Sequence, residues 1–264
     1  MITKTQLNSV KGWFQNYSNT YRNDKNLEQL NIELKYDHIL RVSEEIKDIG
    51  FHCQLNDGEL RLVEIMALLH DIGRYKQYAI YKTFSDKRSE DHARLGLKVI
   101  EENQVLQDFD AHDVSLIKTA IENRNKKKIP HTVIGEHLFH SKILRDADKI
   151  DIYKVVTDYY ENENPDNKTL QLDLPDIQDI RKQNIDDLMN ENVISIENLY
   201  TLNDFKLLQI GWIYDINFPR TYEIIKERRY LEKIFQTIPC DETLAEAKRK
   251  IMNYLDEKAL ANAG

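Results

Sequence analysis

An all-α fold is the expectation, and three features of the sequence lead to it. Apolar residues recur at the helical spacing of about 3.6 residues almost everywhere. No stretch alternates with period two for long, and only 8 glycines and 5 prolines interrupt the 264 residues.

The elements follow in order from that periodicity. Helices are expected near 4–17, 26–49, 58–70, 90–104, 111–123, 135–160, 176–189, 198–215, 219–236 and 241–260. In the second, Ile39, Val42, Ile46 and Ile49 form an apolar stripe. The third, with Leu62, Val63, Ile65, Met66, Ala67, Leu68 and Leu69, is apolar nearly all round and therefore buried, with Gly73 as its stop signal. The helix at 111–123 is capped by Asp110, with Asp113 in its first turn near the exposed amides. In the helix at 135–160, Ile143, Leu144, Ala147, Ile150 and Val155 define the inward arc. Pro219 separates the two amphipathic helices at 198–215 and 219–236. The polar stretch 161–175 is the one internal boundary the composition suggests, and Asn123–Pro130, the only basic cluster, reads as a solvated loop.

Charged residues make up 31% of the chain, and no apolar run approaches the ~18 to 20 residues that cross a bilayer, so no membrane partner is expected. A net charge of -8 argues against a general grip on nucleic acid. A small anion could still be held where a metal or a few arginines concentrate positive charge. The N-terminal MITKTQLNSVKGWF lacks the apolar core of a secretory signal, and the only cysteines, Cys53 and Cys240, lie far apart. A reduced, cytoplasmic setting is expected, with packed thiols.

Two His-Asp pairs occur, and their settings differ. His112-Asp113 starts a helix and is accounted for by capping. His70-Asp71 ends a buried helix, where a carboxylate is costly unless paired or bound to a cation. Other polar groups sit on the edges of apolar faces. His38 lies roughly 60° from the centre of its stripe, where it reaches a cleft or is merely a core-edge histidine. In ILRDADKIDIY, Asp148 and Asp151 point inward, towards a metal or a salt bridge with an arginine, whereas Asp146 falls roughly 110° away, on the solvent side. His137 and His140 have a chelating i, i+3 spacing but no further support.

The ordered set His38, His70-Asp71, Asp148, together with ALLHDIG, EDHARLG and LRDADKID, resembles the HD-domain metal-dependent phosphohydrolases over roughly residues 20–160. The resemblance implies a helical bundle around a metal site, and residues 1–160 are expected to form that metal-binding domain. Residues 161–264 show no recognisable chemistry and are expected to be a helical extension packed on it, covering the bundle, walling the pocket or pairing with another subunit. His38, His70, Asp71 and Asp148 would hold one divalent ion, Mn first, with Fe, Co, Ni, Zn or Mg as alternatives. Many relatives carry further histidines for a second metal. Here Arg124 stands where one of them is often found, and a guanidinium is always protonated, so one ion is expected. The substrate would be a small phosphorylated molecule, a nucleotide by expectation, cleaved by a metal-activated water. Asp71 and His92 would be catalytic, His92 by donating to a leaving oxygen or orienting the water. Arg74 would hold a phosphate, helped by Arg124 or Arg41, and Asp151 would support from behind. A regulatory protein that binds metal and nucleotide without catalysis is the main alternative. A metal-free helical scaffold would instead keep His38, His70 and Asp71 apart.

Overall fold

The computed structural model describes residues 1–22, 27–162, 172, 174–239 and 241–260. Most of the expected boundary stretch at 161–175, Pro165 with it, and also Cys240, lie outside the described residues. Among the described residues there is no strand, and the fold is all-α. No described helix is long and apolar enough to cross a membrane. The chain divides into two compact units, Met1–Asp151 and Ile152–Gly264.

The first unit contains α1 (Lys4–Asn19), α2 (Leu27–His52), α3 (Asp57–Leu69), α4 (Ile72–Tyr81), α5 (His92–Glu102), α6 (Ala111–Asn123) and the first part of α7 (Gly135–Asn162). Local chemistry sets the starts. Thr3 with Gln6 and Asn56 with Glu59 form reciprocal capping boxes on α1 and α3. Asp91 accepts from Ala93 and Arg94 at the head of α5, and Asp110 accepts from Asp113 at the head of α6.

Helices α2 and α3 pack along each other, and the stripe expected on α2 is fully buried, with Ile39, Val42, Ile46 and Ile49 at 0% exposure. Helix α3 is buried on every side from Leu62 to Leu69.

Between α3 and α4 the chain breaks at His70 and Asp71, and Asp71 leaves the helical region with φ -111° and ψ 14°. Helix α4 was not expected, and Gly73 is not a stop: it lies inside α4. A Cβ there would overlap the His92 carbonyl oxygen and the Gly96 backbone nitrogen. Gly73 is required because the backbones of α4 and α5 touch, and that contact brings His92 beside the His-Asp pair.

Asp146 also departs from expectation. It is buried at 0% exposure, as is the whole run Ile143–Asp151, apart from traces up to 8%. A helix surrounded by neighbours has no solvent face, so angular position around it does not separate inside from outside. The basic run is likewise only partly solvated: Asn123 and Arg124 are buried, and Arg145 Nη1 donates to the carbonyls of Asn123, Arg124 and Lys126.

The second unit contains the end of α7, then α8 (Lys182–Met189), α9 (Leu202–Gly211), α10 (Pro219–Glu227), α11 (Tyr230–Gln236) and α12 (Glu242–Leu260). The helices expected at 176–189 and 198–215 are shorter, the latter continuing as a 3-10 turn over Trp212–Asp215. The expected helix 219–236 is two helices, because Arg229 adopts φ +56° and turns the chain.

Candidate metal centre

Five segments of the first unit bring their polar residues together. Helix α2 presents Lys35, His38 and Arg41 at successive i, i+3 positions on one face. The α3–α4 junction supplies His70 and Asp71, followed by Arg74 in the first turn of α4. His92 opens α5, Arg124 follows the last residue of α6, and α7 contributes Asp148 and Asp151.

The two imidazoles face each other, with Nε2 of His38 3.2 Å from Nε2 of His70. Their other nitrogens fix the proton positions. His70 Nδ1 donates to the carbonyl of Ala67 at 2.6 Å, and a carbonyl can only accept, so the His70 proton is on Nδ1. Burial pushes the His70 pKa down, which keeps the ring neutral and its Nε2 lone pair directed inward. His38 Nδ1 donates to Asp151 Oδ2 at 2.7 Å, and Arg41 Nε holds Asp151 Oδ1 at 2.5 Å from the far side.

Two carboxylates complete the inner set. Asp71 Oδ2 lies 3.5 Å from His38 Nε2 and 3.9 Å from His70 Nε2. Asp148 Oδ1 lies 3.1 Å and 3.5 Å from the same two nitrogens. His38, His70 and Asp71 form a tight group, with ligand atoms all within 4.8 Å of one another. Asp148 Oδ1 is buried and has no hydrogen-bond partner of acceptable geometry. Two inward nitrogens and two inward carboxylate oxygens make a donor set that fits a divalent metal ion. Burial and the Lys35 charge push the His38 pKa down, but the neighbouring Asp148 and Asp151 carboxylates together outweigh them and the net shift is upward.

The outer carboxylate oxygens belong to Arg124. Its Nη1 donates to Asp148 Oδ2 at 2.7 Å and its Nη2 to Asp71 Oδ1 at 2.6 Å, and Nη2 also meets His92 Nε2. Burial pushes both carboxyls upward, but Arg124 outweighs it, with Lys35 at Asp71 and His38 at Asp148, and holds both well below the usual carboxylate range. His92 Nδ1 donates to Asp86, 2.8 Å from Oδ1 and 2.7 Å from Oδ2. Burial, then Arg74 and Arg124, push His92 down to about 4, so it is neutral at pH 7 with its lone pair on Arg124.

Every residue singled out for this site from the sequence is therefore found in it, and the scaffold alternative, which needed His38, His70 and Asp71 apart, is removed. The arginines are more committed than expected. Arg124 is locked between two carboxylates, and Arg74 Nη1 is shared among Gln77 Oε1, the Phe84 carbonyl and Asp86 Oδ1. Two residues were missed. Lys35 Nζ lies 2.9 Å from Asp71 Oδ2, and its position one turn before His38 was the available signal. Asp86 sits in a non-helical connection, six residues before His92, where periodicity says nothing. His137 and His140 stand apart from this group: His137 Nε2 is 2.9 Å from Ser115 Oγ, and His140 Nδ1 donates to the Glu136 carbonyl.

Residues 36–162 match a family model described as HD domain. The chain carries an HD domain. Comparison with curated proteins and with solved structures finds no match. HD domains bind divalent metals and belong to a superfamily of metal-dependent phosphohydrolases, and the inner donor set of this HD domain agrees with that chemistry. The matched span begins one residue after Lys35 and contains every other side chain of the centre.

Proposed function

We propose that this HD protein is a phosphohydrolase that cleaves a phosphoester or phosphoanhydride of a small substrate, with nucleotides the first class to examine. The observation that carries the reading is the convergence of two lone-pair-bearing imidazole nitrogens with Asp71 Oδ2 and the unpartnered Asp148 Oδ1. His38, His70, Asp71 and Asp148 would hold one divalent ion, Mn by first choice and Fe, Co, Ni, Zn or Mg as alternatives. Such an ion supplies Lewis acidity to a phosphoryl oxygen and makes a bound water a better nucleophile.

The chain's own residues prepare that site. Asp151 and the Ala67 carbonyl fix which nitrogen of each imidazole points inward. Arg124 draws the outer oxygens of Asp71 and Asp148 to itself and leaves the inner ones facing the ion. It also fills the place between His92, Asp71 and Asp148, which limits the site to one ion. Because His92 is neutral and its Nδ1 proton is held by Asp86, it orients Arg124 rather than donating a proton to a leaving group. Burial of His38, His70, Asp71, Arg124 and Asp148 strengthens these fields.

The test is metal analysis of the purified protein, followed by hydrolysis assays with Mn on nucleotides and generic phosphoesters. The expected result is about one ion per chain and turnover, both lost in Asp71→Ala. If Asp71→Ala changes neither, the proposed centre is wrong. Metal without turnover on any phosphoester would assign the protein to regulation.

A further inference from the structure

Resting on that reading, we infer that Lys35 is the side chain that receives the substrate's phosphoryl oxygens beside the ion. Three other cations of the centre are already engaged. Both terminal nitrogens of Arg124 are used on Asp148, Asp71 and His92, and its side chain is only 5% exposed. Arg74 Nη1 is shared by three acceptors, and its buried Nε, which makes no hydrogen bond, lies 3.7 Å from Asp71 Oδ1. Arg41 donates to both oxygens of Asp151, the carboxylate that sets His38. None of the three can turn to a ligand without releasing a carboxylate that the centre needs.

Lys35 differs. An ammonium has three donors, and among the described residues this one makes a hydrogen bond only to Asp71 Oδ2, at 2.9 Å. Its side chain keeps 17% exposure, and its head lies 5.4 Å from the centre of the Phe84 ring. The oxygen it touches is the one that faces His38 and His70, at 3.5 and 3.9 Å. A phosphoryl group bound to an ion at that place therefore comes within reach of the remaining ammonium protons.

Charge supports the same assignment. Asp71, Asp86, Asp148 and Asp151 are matched by Lys35, Arg41, Arg74 and Arg124 in the contacts around the two histidines. A divalent ion added to this matched set leaves an uncompensated positive charge, and an anionic phosphoryl group next to Lys35 cancels it.

The experiment uses the Mn-loaded full chain and inorganic phosphate as the probe, with binding followed by calorimetry in the wild type, Lys35→Ala and Lys35→Arg. The ammonium contact is a charge-assisted one, so Lys35→Ala should weaken phosphate binding roughly tenfold to a hundredfold, and Lys35→Arg should recover most of it. Metal content should stay unchanged in both, and with a hydrolysed phosphoester KM should rise more than kcat falls. Phosphate affinity in Lys35→Ala within about twofold of wild type would overturn the assignment, as would a wild type that binds metal but no phosphate. So would loss of metal in Lys35→Ala, which would make Lys35 a support for Asp71. Phosphate binding is read without turnover, so an inactive wild type that binds phosphate through Lys35 would refute hydrolysis alone.

Discussion

Arg124→Met tests the electrostatics of the centre most directly, because one guanidinium there serves two buried carboxylates. Arg124 is 5% exposed, Asp71 1% and Asp148 9%, with contacts of 2.6 and 2.7 Å. Methionine keeps much of the stem's packing and removes the charge. Asp71 retains Lys35, but Asp148 Oδ2 loses its cation in a largely buried site. Breaking a buried pair by removing one partner costs about 3 to 5 kcal/mol. For a chain of this size each kcal/mol shifts the midpoint by roughly 2 to 4 °C, so the metal-free variant should melt about 6 to 20 °C below wild type. Added Mn should then restore much of the difference, since an ion hundredfold above its Kd contributes about 2.7 kcal/mol, and more where no guanidinium shares the carboxylates. The assay is thermal unfolding in chelator, repeated with excess Mn. A variant that melts within about 2 °C of wild type in chelator would refute the reasoning, because two buried carboxylates would then stand without needing Arg124.

Acid sensitivity should report His92. Its folded pKa of about 4 lies below the ordinary value of 6.5, so its contribution to stability is complete above pH 6.5 and is lost as the pH falls towards 4. Urea unfolding in chelator between those limits should show a loss on the order of 3 kcal/mol that His92→Gln removes, and equal slopes in the two proteins would contradict the assignment. Asp151→Asn should leave the fold intact and weaken metal binding roughly tenfold to a hundredfold in a chelator competition, with unchanged affinity as the opposing result. Gly73→Ala should destabilise by about 1 to 3 kcal/mol or more, since the new methyl group meets the backbone of α5, and a neutral melting temperature would deny that close approach.

Much of the centre could be read from sequence, because a helix converts spacing into direction. The stripe on α2 placed His38 at its edge, and the apolar length of α3 carried His70 and Asp71 inward. The phase of α7 set Asp148 and Asp151 apart from a solvated charge run. The helix at Ile72–Tyr81 was hidden by Gly73, which reads as a terminator along the chain and acts in three dimensions as a close contact with α5. Asp146 was misplaced because a periodic pattern assumes one wet face, and α7 has none there.

By itself, then, the sequence determined the fold class, the family resemblance and which side chains are candidates for the centre, all of which depend on local periodicity and on which residues are present. Only the tertiary structure decided which charge meets which. The places of Arg124, Arg74 and Lys35 in the sequence do not say which carboxylate each one meets, yet burial and the position of their helices give each a different partner. The first clamps Asp71 and Asp148 from outside, and the second joins Asp86 and the Phe84 carbonyl. The third reaches the inner oxygen of Asp71 with donors to spare. Ion pairing depends on distances of a few ångström between segments far apart in the chain, and those distances exist only after packing.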